Sequence, residues 1–195
     1  MQKAATRLLS VLACLTVFSL SAFGQDVPSY ELFGGIAFSS GLPAGAWLGW
    51  HVSGVKNLDR HFGIVVDIGR QTSSQSQGLN FVLLNTNTIQ STYLAGLQVA
   101  SRNESKLAPS IHLLAGVAQD SAAFSILNAG DQSVESGSDK TKSFALLPGA
   151  SFDYTVKEHF AIRLVQVDFM CVRSAGTWAQ SVRFSTGLIV RLGKR

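Results

Sequence analysis

Seven charged residues of this chain each stand between two apolar neighbours. They are Glu31 (Tyr30, Leu32), Asp67 (Val66, Ile68), Asp153 (Phe152, Tyr154), Arg163 (Ile162, Leu164), Asp168 (Val167, Phe169), Arg183 (Val182, Phe184) and Arg191 (Val190, Leu192). Neighbours on an extended chain point to opposite faces, so each triplet puts a charge on one face and hydrocarbon on the other. Charges gathered on the inner face of a closed sheet must pair, because a lone buried charge is costly. Two roles are open to such a set. One is a plug of salt bridges that fixes strand register; the other is a narrow, gated ion path lined by those charges.

Catalysis would need a Ser–His pair close to an exposed rim. The histidines are His51, His61, His112 and His159. His61 and His159 adjoin tight turns, His112 reads as an inward filler, and His51 shares a face with Ser53 without an obvious acid. Neither the histidines nor a lone cysteine shows metal-ligand spacing, so no catalytic residue, metal or cofactor is assigned.

The elements that must position these charges are strands. In Val182 to Leu192 the even positions are Val, Phe, Thr, Leu, Val and Leu, while Arg183, Ser185, Gly187 and Arg191 fall on odd ones. The period of two recurs in segments about ten residues long, ending in Asn, Asp, Gly or Lys clusters. The spacing predicts eight strands: Tyr30 to Ser39, Gly45 to Val55, His61 to Arg70, Ile89 to Ser101, Leu107 to Ala118, Ser143 to Val156, Phe160 to Cys171 and Ser181 to Leu192. In the seventh, Ile162 and Leu164 are out of phase with Val167 and Phe169. Either a β-bulge near Val165 absorbs an extra residue, or the strand boundary is misplaced. Connections alternate between short turns (Asn57 to Arg60, Arg102 to Lys106, Lys157 to His159) and longer loops (72–88, 119–142). That rhythm is expected of outer-membrane barrels, and it puts both termini in the periplasm. The Ser-, Gly- and Asp-rich stretch from Asp120 to Lys142 reads as a solvated loop.

On these strands Glu31, Asp153, Arg163 and Arg191 fall near the periplasmic end, and Asp67, Asp168 and Arg183 toward the loops. Arg191 and Glu31 lie on the two strands that close the ring. Arg183 and Asp168 lie on the last adjacent pair.

Met1 to Gly24 reads as a secretory leader: Lys3 and Arg7, an apolar run from Leu8 to Leu20, then small residues at Ala22 and Gly24. Val11-Leu12-Ala13-Cys14 has a lipobox-like form, but the apolar run before Cys14 is short and continues past it. Cleavage before Gln25 makes Gln25 to Arg195 one barrel domain, in which Cys171 has no disulfide partner. The leader holds no acid, so 16 basic residues less Lys3 and Arg7 leave 14 against 12 acidic ones. A charge of about +2 argues neither for nor against a nucleic-acid partner, and none is assigned. No mature segment has the roughly 18 apolar residues in a row that a membrane helix needs, so a membrane assignment requires a barrel.

With the leader, the strand pattern over the mature chain, Tyr30-Glu31-Leu32-Phe33-Gly34-Gly35 and Phe160-Ala161-Ile162-Arg163-Leu164, the chain resembles the OmpA-like small outer-membrane β-barrels. The likeness extends to the barrel domain only. It implies an all-β, eight-stranded, antiparallel up-and-down barrel in the outer membrane of a diderm bacterium. The closing strand is similar to the signal read by the barrel-insertion machinery, with Ser185, Gly187, Val190 and Leu192 at its positions. It departs from that signal in having aliphatic residues near the end, followed by Gly193-Lys194-Arg195. Implied partners are outer-membrane lipid, the barrel-assembly machinery and periplasmic chaperones, with a monomer as the expected state.

Gly45-Ala46-Trp47 is similar to a first-strand signature of lipocalins, but the continuous apolar rows argue against a soluble barrel. Trp47, Trp50, Tyr93, Tyr154 and Trp178 read as interface aromatics. Asn103-Glu104-Ser105 is a glycosylation sequon in a predicted turn and is taken as chance. The expected function is structural: membrane integrity, or surface contact through the long loops. A low-conductance pore is the alternative, followed by a lipid-modifying barrel enzyme and a lipocalin-like ligand binder.

Overall fold

The computed structural model describes residues 27–41, 45–79, 82–102, 105–128, 133–174 and 176–194. The expected leader, Cys14, and Asn103 and Glu104 of the sequon lie outside the described residues. Eight strands run in chain order: β1 (Pro28–Gly41), β2 (Gly45–Asn57), β3 (Phe62–Leu79), β4 (Val82–Ala100), β5 (Leu107–Asn128), β6 (Ser133–Lys157), β7 (Phe160–Ser174) and β8 (Thr177–Lys194). Each pairs antiparallel with the next, and β8 pairs with β1 to close the barrel.

Register sets the tilt. Partners followed round the ring from Phe33 pass through Ser53, Asp67, Leu94, Gly116, Ala145 and Val172 to Ala179. The ring-closing partner of Phe33 is instead Ile189, ten residues further along β8. With a rise of about 3.3 Å per residue and strands about 4.8 Å apart, that stagger tilts the strands by about 40°. Such a ring is just wide enough for side chains to fill it.

Alternation then separates two surfaces. Leu32, Ile36, Trp50, Ile64, Val66, Leu97, Leu113, Val167 and Leu188 all point outward and are exposed. On β5 the outward apolar positions run from Leu107 to Val117. Ten steps at that rise and tilt make a band about 25 Å tall. Arg70, Lys142 and Arg173 follow at its upper edge, and Lys56, Lys106 and Lys157 at its lower edge. Trp50, Tyr93, Tyr154 and Trp178 follow the outward alternation, but Trp47 follows the inward one of His51 and Ser53 and is half-buried. It is therefore not an outward interface aromatic.

The turns at the lower end are pinned by bonds from their own residues. Asp59 Oδ1 accepts from the backbone N–H of Phe62 at 2.8 Å and of His61 at 2.7 Å, tying the β2–β3 turn. Those two donors, Phe62 first, hold its carboxyl below the ordinary carboxylate value.

The irregularity expected near Val165 is a β-bulge. Arg163 pairs with Gly187 and Gln166 with Ser185, so Leu164 and Val165 together oppose one residue of β8. Both bulge residues are exposed, and Arg163, Gln166 and Asp168 all turn inward.

The expected loops at 72–88 and 119–142 are strands instead. The β3–β4 ladder continues to Leu79↔Val82, and β5–β6 to Asn128↔Ser133. The β4–β5 ladder joins the two hairpins up to Val82↔Asn128, whereas β2 stops pairing with β3 at Thr72 and β7 stops pairing with β6 at Phe144. The result is a four-stranded wall rising on one side of the barrel mouth. In Thr72 to Gln77 and Asn85 to Thr88 polar residues occupy both faces, because both faces stand outside the apolar band, so the hydrophobic period vanishes there while the hydrogen-bond ladder persists.

Candidate functional site

The site is the lumen. Asp153 and Arg163 are register partners on β6 and β7, and their forked pair has Nε–Oδ1 at 2.7 Å and Nη2–Oδ2 at 3.0 Å. Arg163 Nη1 donates to Gln166 Oε1 at 2.6 Å, and Gln166 Nε2 donates to both oxygens of Asp168 at 3.0 and 2.8 Å. Arg183, on β8, donates from Nε to Asp168 Oδ2 at 2.8 Å and from Nη1 to Asp67 Oδ1 at 3.4 Å. Since β3 lies three strands away from β8 around the ring, this guanidinium spans the lumen.

The chain of contacts then returns on itself. His51 Nδ1 donates to Asp67 Oδ2 at 2.7 Å. The His51 ring stands 4.8 Å from that of Phe33, and the Arg163 guanidinium lies 4.6 Å over the same Phe33 ring. The circuit is a belt of polar contacts around the interior. Its members are nearly fully buried, with Asp168 and His51 at 0 % exposure and Arg183 and Asp67 at 1 %. Such burial is tolerable because each charge meets an opposite charge and further hydrogen bonds.

His112, on β5, brings Nε2 to 3.0 Å from Asp168 Oδ1. It can do so because Gly149 stands between them in register; a Cβ there would collide with both Asp168 Oδ1 and His112 Nε2. One inward position higher on the same strands, Leu114, Leu147 and Met170 pack with Leu94 of β4 in an apolar cluster of the interior.

The lower end carries a second group. Arg191 Nε lies 4.0 Å from Glu31 Oε1, across the β1–β8 closure where the two residues are register partners. Arg191 Nη1 also donates to Thr155 Oγ1 at 2.9 Å. Arg102, from the β4–β5 turn, donates from Nη2 to Glu31 Oε1 at 3.2 Å and to Asn57 Oδ1 at 2.7 Å, and from Nη1 to the Arg60 carbonyl at 2.9 Å.

The structure therefore brings Asp67, Asp153, Arg163, Asp168 and Arg183 into one network and sets Glu31 and Arg191 in another. Arg163 belongs with Asp168 through Gln166, rather than with Glu31 at the lower end. Sequence reasoning missed Gln166, His51, Arg102 and Asn57 as members. The signal for Gln166 was its phase after the bulge; for Arg102, a turn residue, alternation carries none. His51 does have an acid beside it, Asp67, contrary to the sequence reading. Its Nε2 has no hydrogen-bond partner among the described residues.

On β8, Ser185 and Gly187 turn inward and Val190 and Leu192 outward, opposite Ala37, Gly35, Leu32 and Tyr30 of β1. A Cβ on Gly187 would meet the β1 backbone at Gly34 and Gly35, so this closing seam depends on a missing side chain.

No protein-family model and no curated protein matches the chain. Solved structures do. Neisserial surface protein A (NspA) is similar at a TM-score of 0.55 and 13% identity, over 87% of this chain and 100% of that one. The outer membrane protein OprG from Pseudomonas aeruginosa gives 0.54 and 12%, over 87% of this chain and 98% of that one. Ail, the attachment invasion locus protein of Yersinia pestis, solved with the heparin analogue sucrose octasulfate, gives 0.51 and 12%, over 85% and 99%. At these identities the likeness is one of fold, and that fold is the small, eight-stranded, antiparallel up-and-down barrel of outer-membrane proteins.

Proposed function

We propose that this chain is an outer-membrane protein whose barrel is a sealed support for the β3–β6 wall, which makes contacts beyond the membrane surface. The carrying observation is the unbroken apolar band, about 25 Å tall, on a barrel with no free edge at that height. In water that surface would be an aggregation liability; in hydrocarbon it is satisfied. The short turns share the lower rim with Pro28 and Lys194, so insertion from the periplasm leaves the wall outside. Lipid then surrounds the band. The insertion machinery and periplasmic chaperones would meet the chain before closure, with Ser185, Gly187, Val190 and Leu192 as the assembly signal. Closure leaves no edge in the band to recruit a second copy, which favours a monomer.

The Arg183 bridge from β8 to β7 and β3 supports a plugged lumen rather than a pore. Ail, a barrel of similar fold, is an attachment invasion locus protein, and surface contact comes to this chain by analogy of fold. Electrophoresis of an outer-membrane fraction in SDS tests the membrane assignment, with one sample boiled and one kept cold. A detergent-resistant barrel gives a mobility shift on boiling. Recovery in the soluble periplasmic fraction without a shift would overturn the assignment.

A further inference from the structure

Two outward register rows climb side by side across one flank of the barrel. The upper row joins Leu48, Phe38 and Phe184. The lower joins Trp50, Ile36 and Thr186, which stands opposite the Leu164–Val165 bulge. Between them lies a groove of about 260 Å³, lined by the outward side chains of Leu48, Phe38, Phe184, Ile36, Thr186 and Val165. Its floor is the strand backbone at Ala37 and Ser185, register partners whose side chains turn inward. Thr186 is short where its row neighbours are long, which opens the groove. Its Oγ1 donates to the Arg163 carbonyl beside the bulge at 2.8 Å, so the one polar side chain on the groove's outward walls is already satisfied.

From the bulge on β7 to Leu48 on β2 the groove crosses three inter-strand spacings, about 14 Å. One leaflet, half of a hydrocarbon core about 30 Å thick, gives an acyl chain about that length. Register rows rise with the stagger of the ring, so the β2 end is the upper one. One strand further on, the rows reach β3 at Leu48↔Thr72 and Trp50↔Arg70. The groove therefore opens beside an exposed guanidinium at the upper edge of the apolar band. Arg70 meets no carboxylate among the described residues. Glu31, Asp67, Asp120, Asp139, Asp153 and Asp168 all lie on the inward alternation, away from this surface. Trp50, its neighbour, is of the type that settles at the headgroup level. An apolar groove within the band that ends at an unpaired cation matches a lipid, with its chain below and its phosphate above.

We propose that this groove holds one acyl chain of an anionic, phosphate-bearing lipid of the wall-side leaflet, and that Arg70 holds its phosphate. The proposal rests on the membrane reading above and adds a defined lipid site to it.

The test uses the purified full-length barrel in an uncharged detergent. One titrant is dimyristoyl phosphatidylglycerol. Dimyristoyl phosphatidylcholine carries the same chains with its phosphate charge compensated, and glycerol 3-phosphate carries the phosphate without chains. Native mass spectrometry reads the fraction of barrel that keeps a bound molecule. Wild type should retain phosphatidylglycerol at lower concentration than phosphatidylcholine and should not retain glycerol 3-phosphate. Arg70→Gln should weaken phosphatidylglycerol about fivefold, the effect of one cation at a membrane surface, and Arg70→Lys should keep most of the affinity. Ile36→Trp, which fills the groove, should weaken both lipids, and Ile64→Trp, the same change elsewhere on the band, should weaken neither. Arg173→Gln removes another cation of the upper edge and should leave retention unchanged. Equal retention of the two lipids, glycerol 3-phosphate binding as tight as the lipid, an unchanged affinity in Arg70→Gln or Ile36→Trp, or an equal loss in Arg173→Gln would each overturn the proposal. The boiling shift is measured on every preparation. A wild-type chain that shifts but shows no lipid preference refutes the lipid site alone, and one that does not shift refutes the barrel reading and this site with it.

Discussion

Arg183 stands where two carboxylates from opposite sides of the lumen converge. Truncating one partner of a buried ionic network leaves the others desolvated without compensation, at a cost of about 3–5 kcal/mol. Arg183→Ala should therefore lower the unfolding free energy of the barrel, from urea titration in micelles, by that order. Arg183→Lys should recover little, since a single ammonium cannot present the separate donors that reach Asp168 and Asp67. A loss below about 1 kcal/mol, within the range of an exposed ion pair, would mean the bridge contributes nothing to stability. Asp59 makes the complementary case at the lower rim. Its folded-state carboxyl titrates below its ordinary value because the Phe62 and His61 N–H groups favour the ionised form. A depressed value means the stabilisation is complete above the unfolded-state pKa, about 4, and disappears as pH falls through the folded-state value. Unfolding midpoints of wild type and Asp59→Ala should differ at neutral pH and converge in strong acid. A gap of constant size across that range would place its cause elsewhere than in the carboxylate.

At the scale of elements, what the sequence disclosed depended on what each strand faces. Inside the band one face meets lumen and the other hydrocarbon, so the alternation of Phe62, Ile64, Val66 and Ile68 was legible and so was the phase slip at Val165. In the wall, Thr72 to Gln77 is polar on both faces and carries no period to read, although its ladder to β4 is continuous. Within the lumen, alternation gave the facing of His51 and His112 but not their partners, because the stagger that brings β8 across to β3 is a property of ring closure. This division has an energetic counterpart. Val66→Arg puts a charge at mid-band and should cost about 2–4 kcal/mol of barrel stability in lipid, whereas Ser74→Arg, on the outer face of the wall, should stay within about 0.5 kcal/mol. Equal effects of the two, measured by denaturant titration in the same bilayer, would mean that the band does not lie in hydrocarbon.

At the scale of the whole molecule, the charges of the lumen below the wall balance. Among the described residues Glu31, Asp67, Asp153 and Asp168 face Arg102, Arg163, Arg183 and Arg191, four carboxylates against four guanidiniums. A balanced lumen offers a permeating ion no net attraction. The Arg183 bridge and the Leu94, Leu114 and Leu147 wall meanwhile occupy the width that conduction needs. The native barrel in planar bilayers should thus be electrically silent. Removing the bridge changes both terms at once: Arg183→Ala clears a guanidinium from the lumen and leaves Asp67 and Asp168 with an uncompensated negative charge. That variant should show small, cation-selective current steps if it still gives the boiling shift. Steady unit conductance in the wild type, with a selectivity that changes in Asp168→Ala, would instead mean that ions pass along the charges. The network would then be a conduction path, and the sealed-support reading would fall.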